Sequence, residues 1–261
     1  MHALVTGVSA GAGLLLGGEL EIVVERLGER RPFDRPWWRC PSCATPYQGR
    51  ALVPVVNSLF LRRGCRSCRE RVSHPWRPVL LGVVSAIVLG AFAARFGNDV
   101  VLVAYAVFGL SLVAMSAVDF ERQIIPNRLV YSTLAALVPL FVVASAVDDR
   151  WGSLARAGIG GAAAFVAFLL VHLAVPRGMG FGDVRLAGVV GFATGWLGLG
   201  HTFVGFFTAF VLGALVGIGA MAVSGAGRKT RIPFGPFLAA GAVVTILWGS
   251  PVAHALFHHA M

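Results

Sequence analysis

Apolar residues run along the chain in eight long stretches, near 3–24, 78–96, 99–118, 129–147, 156–175, 184–198, 200–224 and 236–257, with the polar residues gathered between them. A helix needs roughly 20 residues to cross a hydrocarbon core of about 30 Å. The pattern therefore predicts an all-α polytopic membrane protein of about eight transmembrane helices, the sixth of them short. Three regions follow: a first transmembrane helix in 1–25, a polar loop module in 26–77, and a seven-helix membrane body in 78–261. Met1-His2-Ala3-Leu4 carries no basic region ahead of its apolar run, so this run reads as a first span and not as a removed signal peptide.

Composition agrees with the pattern. Of the 261 residues, 57% are hydrophobic and 13% charged, against roughly 45 to 50% apolar in a soluble domain, and the mean hydropathy is +0.77. The basic residues are placed unevenly. Of 22 Lys and Arg, all but Arg95, Arg150 and Arg156 fall in 26–77, 119–128, 176–185 and 225–235. By the positive-inside rule those segments face the cytoplasm and both termini lie outside. The net charge of +10 is then explained by topology and by anionic lipid headgroups at the cytoplasmic face. Nucleic acid is not an expected partner, because the aromatics that stack on single strands are mostly missing among the charges.

All four cysteines lie in the first loop, as Cys40-Pro41-Ser42-Cys43 and Cys65-Arg66-Ser67-Cys68. Two Cys-x-x-Cys turns joined by such a spacer suit a tetrahedral zinc ion, and four thiolates leave no open position for a substrate. The metal expected is structural. Disulfides and reactive thiols are the competing readings, and a reducing cytoplasmic loop disfavours the disulfides.

Two aspartates flank this organisation. Asp119 follows the third apolar stretch, and Asp183 ends the run Gly178-Met179-Gly180-Phe181-Gly182-Asp183 just before the sixth. A carboxylate beside a membrane span is costly and rare unless it meets a partner, a protein interior or water. The plainer account makes Asp183 a helix N-cap and Asp119 a solvated loop acid. As a pair they suit peptide hydrolysis, in which one carboxylate draws a proton from water and one acid protonates the leaving group. Two such groups close together share a proton. Gly180 and Gly182 would let the backbone adopt strained conformations and let a substrate strand approach closely. From helix ends alone, Asp183 at a helix start is the anion and Asp119 at a helix end holds the proton.

Asp119 with Pro126 after it, Gly180-Phe181-Gly182-Asp183, the Cys40/Cys43/Cys65/Cys68 loop behind a first span, and Ile232-Pro233-Phe234-Gly235-Pro236-Phe237 before the last span occur in this order over nearly the whole chain. In this the chain resembles the type IV prepilin peptidases, GxGD-type aspartic proteases of bacterial inner membranes. The resemblance implies a multi-pass enzyme that cleaves the basic leader from prepilin-like protein substrates at the cytoplasmic face, with Asp119 and Asp183 as the catalytic pair. It also implies a second activity associated with the first loop, methylation of the new N-terminus with S-adenosylmethionine as cofactor. Two stretches depart from the family pattern. Gly18-Glu19-Leu20-Glu21 replaces a Ser-Phe-Leu-Asn run, and Val72-Ser73-His74-Pro75-Trp76-Arg77 replaces an Arg-Tyr-Pro run with a nearby Glu. The departures count against S-adenosylmethionine and leave the methylation open.

Glu19 and Glu21 have two readings. They snorkel or pair with Arg26, or one of them lines the active site and meets substrate. His172 reads as a packing or interfacial residue. A different class of function, an ion- or proton-coupled transporter, would also use paired intramembrane acids. The matched broken helices expected of one are not evident in the two halves.

Overall fold

A computed structural model of the chain describes residues 2–28, 43, 76–175, 179–224 and 233–257. The described residues form eight helices: α1 His2–Gly28, α2 Arg77–Phe96, α3 Val101–Arg122, α4 Asn127–Val147, α5 Trp151–Ala174, α6 Phe181–Leu197, α7 Leu199–Ser224 and α8 Gly235–Phe257. All eight apolar stretches are thus helical. Six helices are long and apolar enough to cross a membrane, namely α1 over His2–Glu21, α2, α3, α4, α5, and α7 over Leu199–Ala222. Eight spanning helices were expected. The other two are α6, with 17 residues, and α8, with 23 residues, which is apolar over its described part Gly235–Gly249. At 1.5 Å per residue α6 is only about 26 Å long.

The chain divides into two compact units, Met1–Asn98 and Asp99–Met261. The second helix belongs with the first rather than with the membrane body that the apolar pattern suggested. The loop module expected over 26–77 lies outside the described residues except for Arg26, Leu27 and Gly28, which still belong to α1, Cys43 in a turn, and the Trp76 and Arg77 that lead into α2.

In the first unit α1 and α2 pack antiparallel, with Ala10 facing Gly90, Gly13 facing Ser85, and Gly17 facing Leu81. The close approach comes from Gly13 and Gly17, four apart on one helix face. A Cβ on Gly13 would stand 2.6 Å from the Ser85 carbonyl oxygen, and one on Gly17 would stand 2.6 Å from that of Leu81. Small residues at this spacing let helix backbones touch in lipid, where no hydrophobic force drives helices together. Glu21 ends the seam with a salt bridge, its Oε1 3.2 Å from Arg77 Nη1.

In the second unit the same device joins α5 to α6, where Gly160 and Gly161 meet Gly188, Gly191 and Gly195, as small-residue packing predicts. A Cβ on Gly160 would come within 2.7 Å of the Gly191 carbonyl, whereas one on Gly158 would meet open space. Gly205 and Gly241 bring α7 and α8 together in the same way. At the centre, Tyr105, Phe141 and Trp196 pack their rings. The Tyr105 hydroxyl donates to the Ala193 carbonyl at 2.9 Å and Trp196 Nε1 to Ser145 Oγ at 3.2 Å. These bonds fix α3 and α4 against α6. Burying the polar ends of aromatic residues is tolerable because each finds an acceptor.

Candidate active site

The residues that end α3 and begin α4, α6 and α8 converge. Helix α3 runs through Arg122 and stops at Gln123, whose φ of 51° is left-handed. Pro126 then disfavours helix at Ile125 and serves as the N-cap of α4 in an extended conformation. Asp119 therefore lies inside the last turn of α3 and not in a loop beyond it. It is 4% exposed, which removes the account of a solvated loop acid. Its Oδ2 accepts a hydrogen bond of 2.9 Å from the backbone amide of Gly235, the first residue of α8.

Asp183 sits in the first turn of α6. Gly180, not Asp183, is the N-cap, and Asp183 occupies the third helical position. From there its Oδ2 reaches back to accept from the Gly180 amide at 3.2 Å. This is the acidic half of a capping box, which satisfies an amide that the helix cannot pair. Asp183 is half-buried and precedes the apolar run of α6. Burial pushes its carboxyl up to about 6, the charge of Asp119 adds to the rise, and the Gly180 amide opposes it. The two carboxyl groups thus act on each other electrostatically.

Both aspartates consequently stand at helix N-termini: Asp183 at that of its own helix, Asp119 at that of α8. Considering only the helix to which each residue belongs assigned the proton to Asp119. The neighbouring helix end, which no spacing along the chain reveals, gives Asp119 a backbone donor that opposes the cost its burial puts on the charged form.

The glycines differ from expectation in a similar way. Gly180 has φ −72° and ψ 147°, ordinary extended backbone, and the positive-φ glycines among the described residues are Gly97 and Gly198. Neither Gly180 nor Gly182 stores strain. A Cβ on Gly182 would stand 3.0 Å from that of Ile125, so the missing side chain there is matched by the turn that follows Asp119. Ile125 is itself buried. Gly182 thereby seats the Asp119 segment against the Asp183 helix.

Residues that sequence reasoning passed over complete the frame. Arg185, first counted only as a cytoplasmic charge, donates from Nη1 to Asn127 Oδ1 at the start of α4. Its guanidinium lies 4.4 Å from the centre of the Phe181 ring and 5.7 Å from that of Tyr131. Such stacking suits a planar, weakly hydrated cation. His172 Nδ1 lies 2.8 Å from the Met179 carbonyl oxygen, and its ring packs on Phe181. It tethers the glycine loop, a more specific task than interfacial packing. Phe120, Ile124 and Phe181 are exposed around these helix ends, an apolar surround for two acids.

Glu19 and Glu21 belong to the first unit, where Glu21 pairs with Arg77. Of the four cysteines, Cys40, Cys65 and Cys68 lie outside the described residues.

Comparison with known proteins agrees with these features. Residues 106–218, which contain both aspartates, match the model of the type IV leader peptidase family. Residues 12–96 match that of the bacterial peptidase A24 N-terminal domain. A prepilin leader peptidase/N-methyltransferase of Bacillus subtilis is 30% identical, the match covering 92% of this chain and 93% of the relative. One from Pseudomonas putida is 29% identical over 92% and 89%, and one from Burkholderia pseudomallei 33% identical over 81% and 67%. No solved structure matches. With its paired aspartates at converging helix ends and its similarity running nearly end to end, the chain belongs to the type IV leader peptidase family and is a peptidase.

Proposed function

We propose that the protein is an aspartic endopeptidase that cleaves the basic leader from type IV prepilin-like precursors at the cytoplasmic face of a bacterial inner membrane. The observation that carries this is the juxtaposition of Asp119 and Asp183, which face each other's charge across three converging helix ends. In this reading Asp119, the anion, draws a proton from the attacking water while Asp183 gives its proton to the substrate carbonyl oxygen and the tetrahedral diol forms. As the C–N bond breaks, Asp119 passes the proton from water to the leaving amine and Asp183 recovers one from the diol hydroxyl that becomes the product carbonyl. The scissile bond must leave its helix before it can be attacked, because helical backbone groups are already paired. Gly180 and Gly182 keep side chains away from that approach, and Glu19 and Glu21 are the first unit's candidates for meeting substrate.

The donor set Cys40, Cys43, Cys65 and Cys68 fits a structural zinc ion, since four thiolates satisfy tetrahedral coordination and bind zinc strongly. The ion would fold the first loop and take no part in hydrolysis. The basic segments meet anionic headgroups, both termini lie outside, and the relatives' second activity is left out of the proposal for this chain. A methylated product N-terminus in the presence of S-adenosylmethionine would add it.

The test is to incubate the detergent-purified protein with a precursor bearing a short basic leader before an apolar helix. A shortened product that disappears on Asp119→Asn or Asp183→Asn is the expected result. Full-rate cleavage by either variant overturns the proposal and returns the transporter reading. Zinc removal is read separately, by metal content and by the protease sensitivity of the first loop.

A further inference from the structure

The amides at the start of α8 can be followed one by one. Phe237 and Leu238 both donate to the Phe234 carbonyl, each at 3.1 Å, and Pro236 has no N–H. That leaves Gly235, whose N–H is directed at Asp119 Oδ2 at 2.9 Å in a buried bond. A helix start must place each such donor somewhere, and here the donor that is not turned back on Phe234 goes to a catalytic carboxylate. The position also excludes a side chain, because a Cβ on Gly235 would stand 2.7 Å from Asp119 Oδ2 and 3.2 Å from its Cγ. The turn itself is held by rings: Phe234 packs on Phe210 and Phe168 with centroids 5.2 and 6.4 Å away.

The geometry points to Gly235 as a positioning residue of the peptidase reaction, whose amide fixes Asp119 by one carboxylate oxygen and so presents the other to water and to the shared proton. This rests on the aspartate pair being the catalytic pair. Helix α8 thereby becomes part of the catalytic centre although it contributes no reacting side chain. A carboxylate held by one oxygen keeps a single orientation through the proton transfers, and misplacing a catalytic group by about 1 Å costs on the order of a hundredfold in rate.

The experiment compares Gly235→Ala with Gly158→Ala, whose added methyl meets open space. The expected result is that Gly235→Ala lowers kcat about a hundredfold with KM within about threefold, and moves the acid limb of the pH–rate profile upward because the ionised pair loses a donor. Gly158→Ala keeps the parent's rate. A folded Gly235→Ala protein with the parent's kcat and profile overturns the inference. A second measurement does not depend on turnover or on that variant's folding. With glycine labelled by nitrogen-15, the Gly235 amide resonance should move markedly in Asp119→Asn, and an unmoved resonance overturns the inference. Failure of the unmodified protein to cleave its precursor would instead overturn the dyad reading, with the resonance still reporting the hydrogen bond.

Discussion

The two aspartates look alike in sequence, each beside an apolar run, yet they are held by different means. Asp183 is served locally: its partner amide belongs to Gly180, three residues away. Asp119 is served from 116 residues away, by Gly235. One acid is half-buried, the other nearly closed off. A local partner makes a site that survives changes elsewhere, whereas a distant partner makes its site depend on how another helix packs.

The most severe way to break this comparison is to remove either carboxylate. Asp119→Asn and Asp183→Asn should each lower cleavage about a thousandfold or more, the range of general acid–base contributions taken together with loss of the pair. The Asp183 carboxyl keeps its proton up to about 6 in the folded protein, while an unfolded aspartate releases it near about 4. Between those values the unfolded chain binds fewer protons, so this group's contribution to stability falls as pH rises through the window. Asp183→Asn should therefore unfold at a higher temperature than the parent at pH 7, measured by scanning fluorimetry in detergent, with the advantage vanishing near pH 4.

The pH–rate profile sharpens the same contrast. Cleavage needs the shared proton, so kcat/KM should fall as pH rises beyond about 6, where Asp183 ionises. An alkaline limb that stays at the same pH in a Gly180→Pro variant, which lacks the amide, would show that this donor does not tune the acid. The expected change is upward, since the amide now holds the value down.

A smaller effect is expected at the seat between the two acids. Gly182→Ala would press its methyl to 3.0 Å from Ile125 Cβ and should lower kcat severalfold. Ile125→Val in the same chain should recover part of the loss, a coupling that a double-mutant cycle reads directly. Smallest of all, Arg185→Lys keeps the charge but loses the planar stack on Phe181 and Tyr131, and a cation–π contact at an exposed site is worth about 0.5 to 1 kcal/mol. Its mark should be a slightly raised KM without loss of the pH profile.

The sequence by itself determined the membrane class, the eight helical stretches, the resemblance to a peptidase family and the two carboxylates, because apolar runs and short motifs are local and survive without any partner being known. It gave eight candidate spans, and among the described residues all eight are helices and six are long and apolar enough to cross a membrane. It placed Asp119 beyond its helix because hydrophobicity does not say where a helix ends: the polar residues Glu121 and Arg122 still extend α3. Only the tertiary structure decided which amide meets which acid. Gly235 looked like one residue of an ordered motif and Arg185 like a topology marker, and each acquired its task from a residue distant in the chain. Backbone donors carry no mark in a sequence, so where they point depends on packing alone.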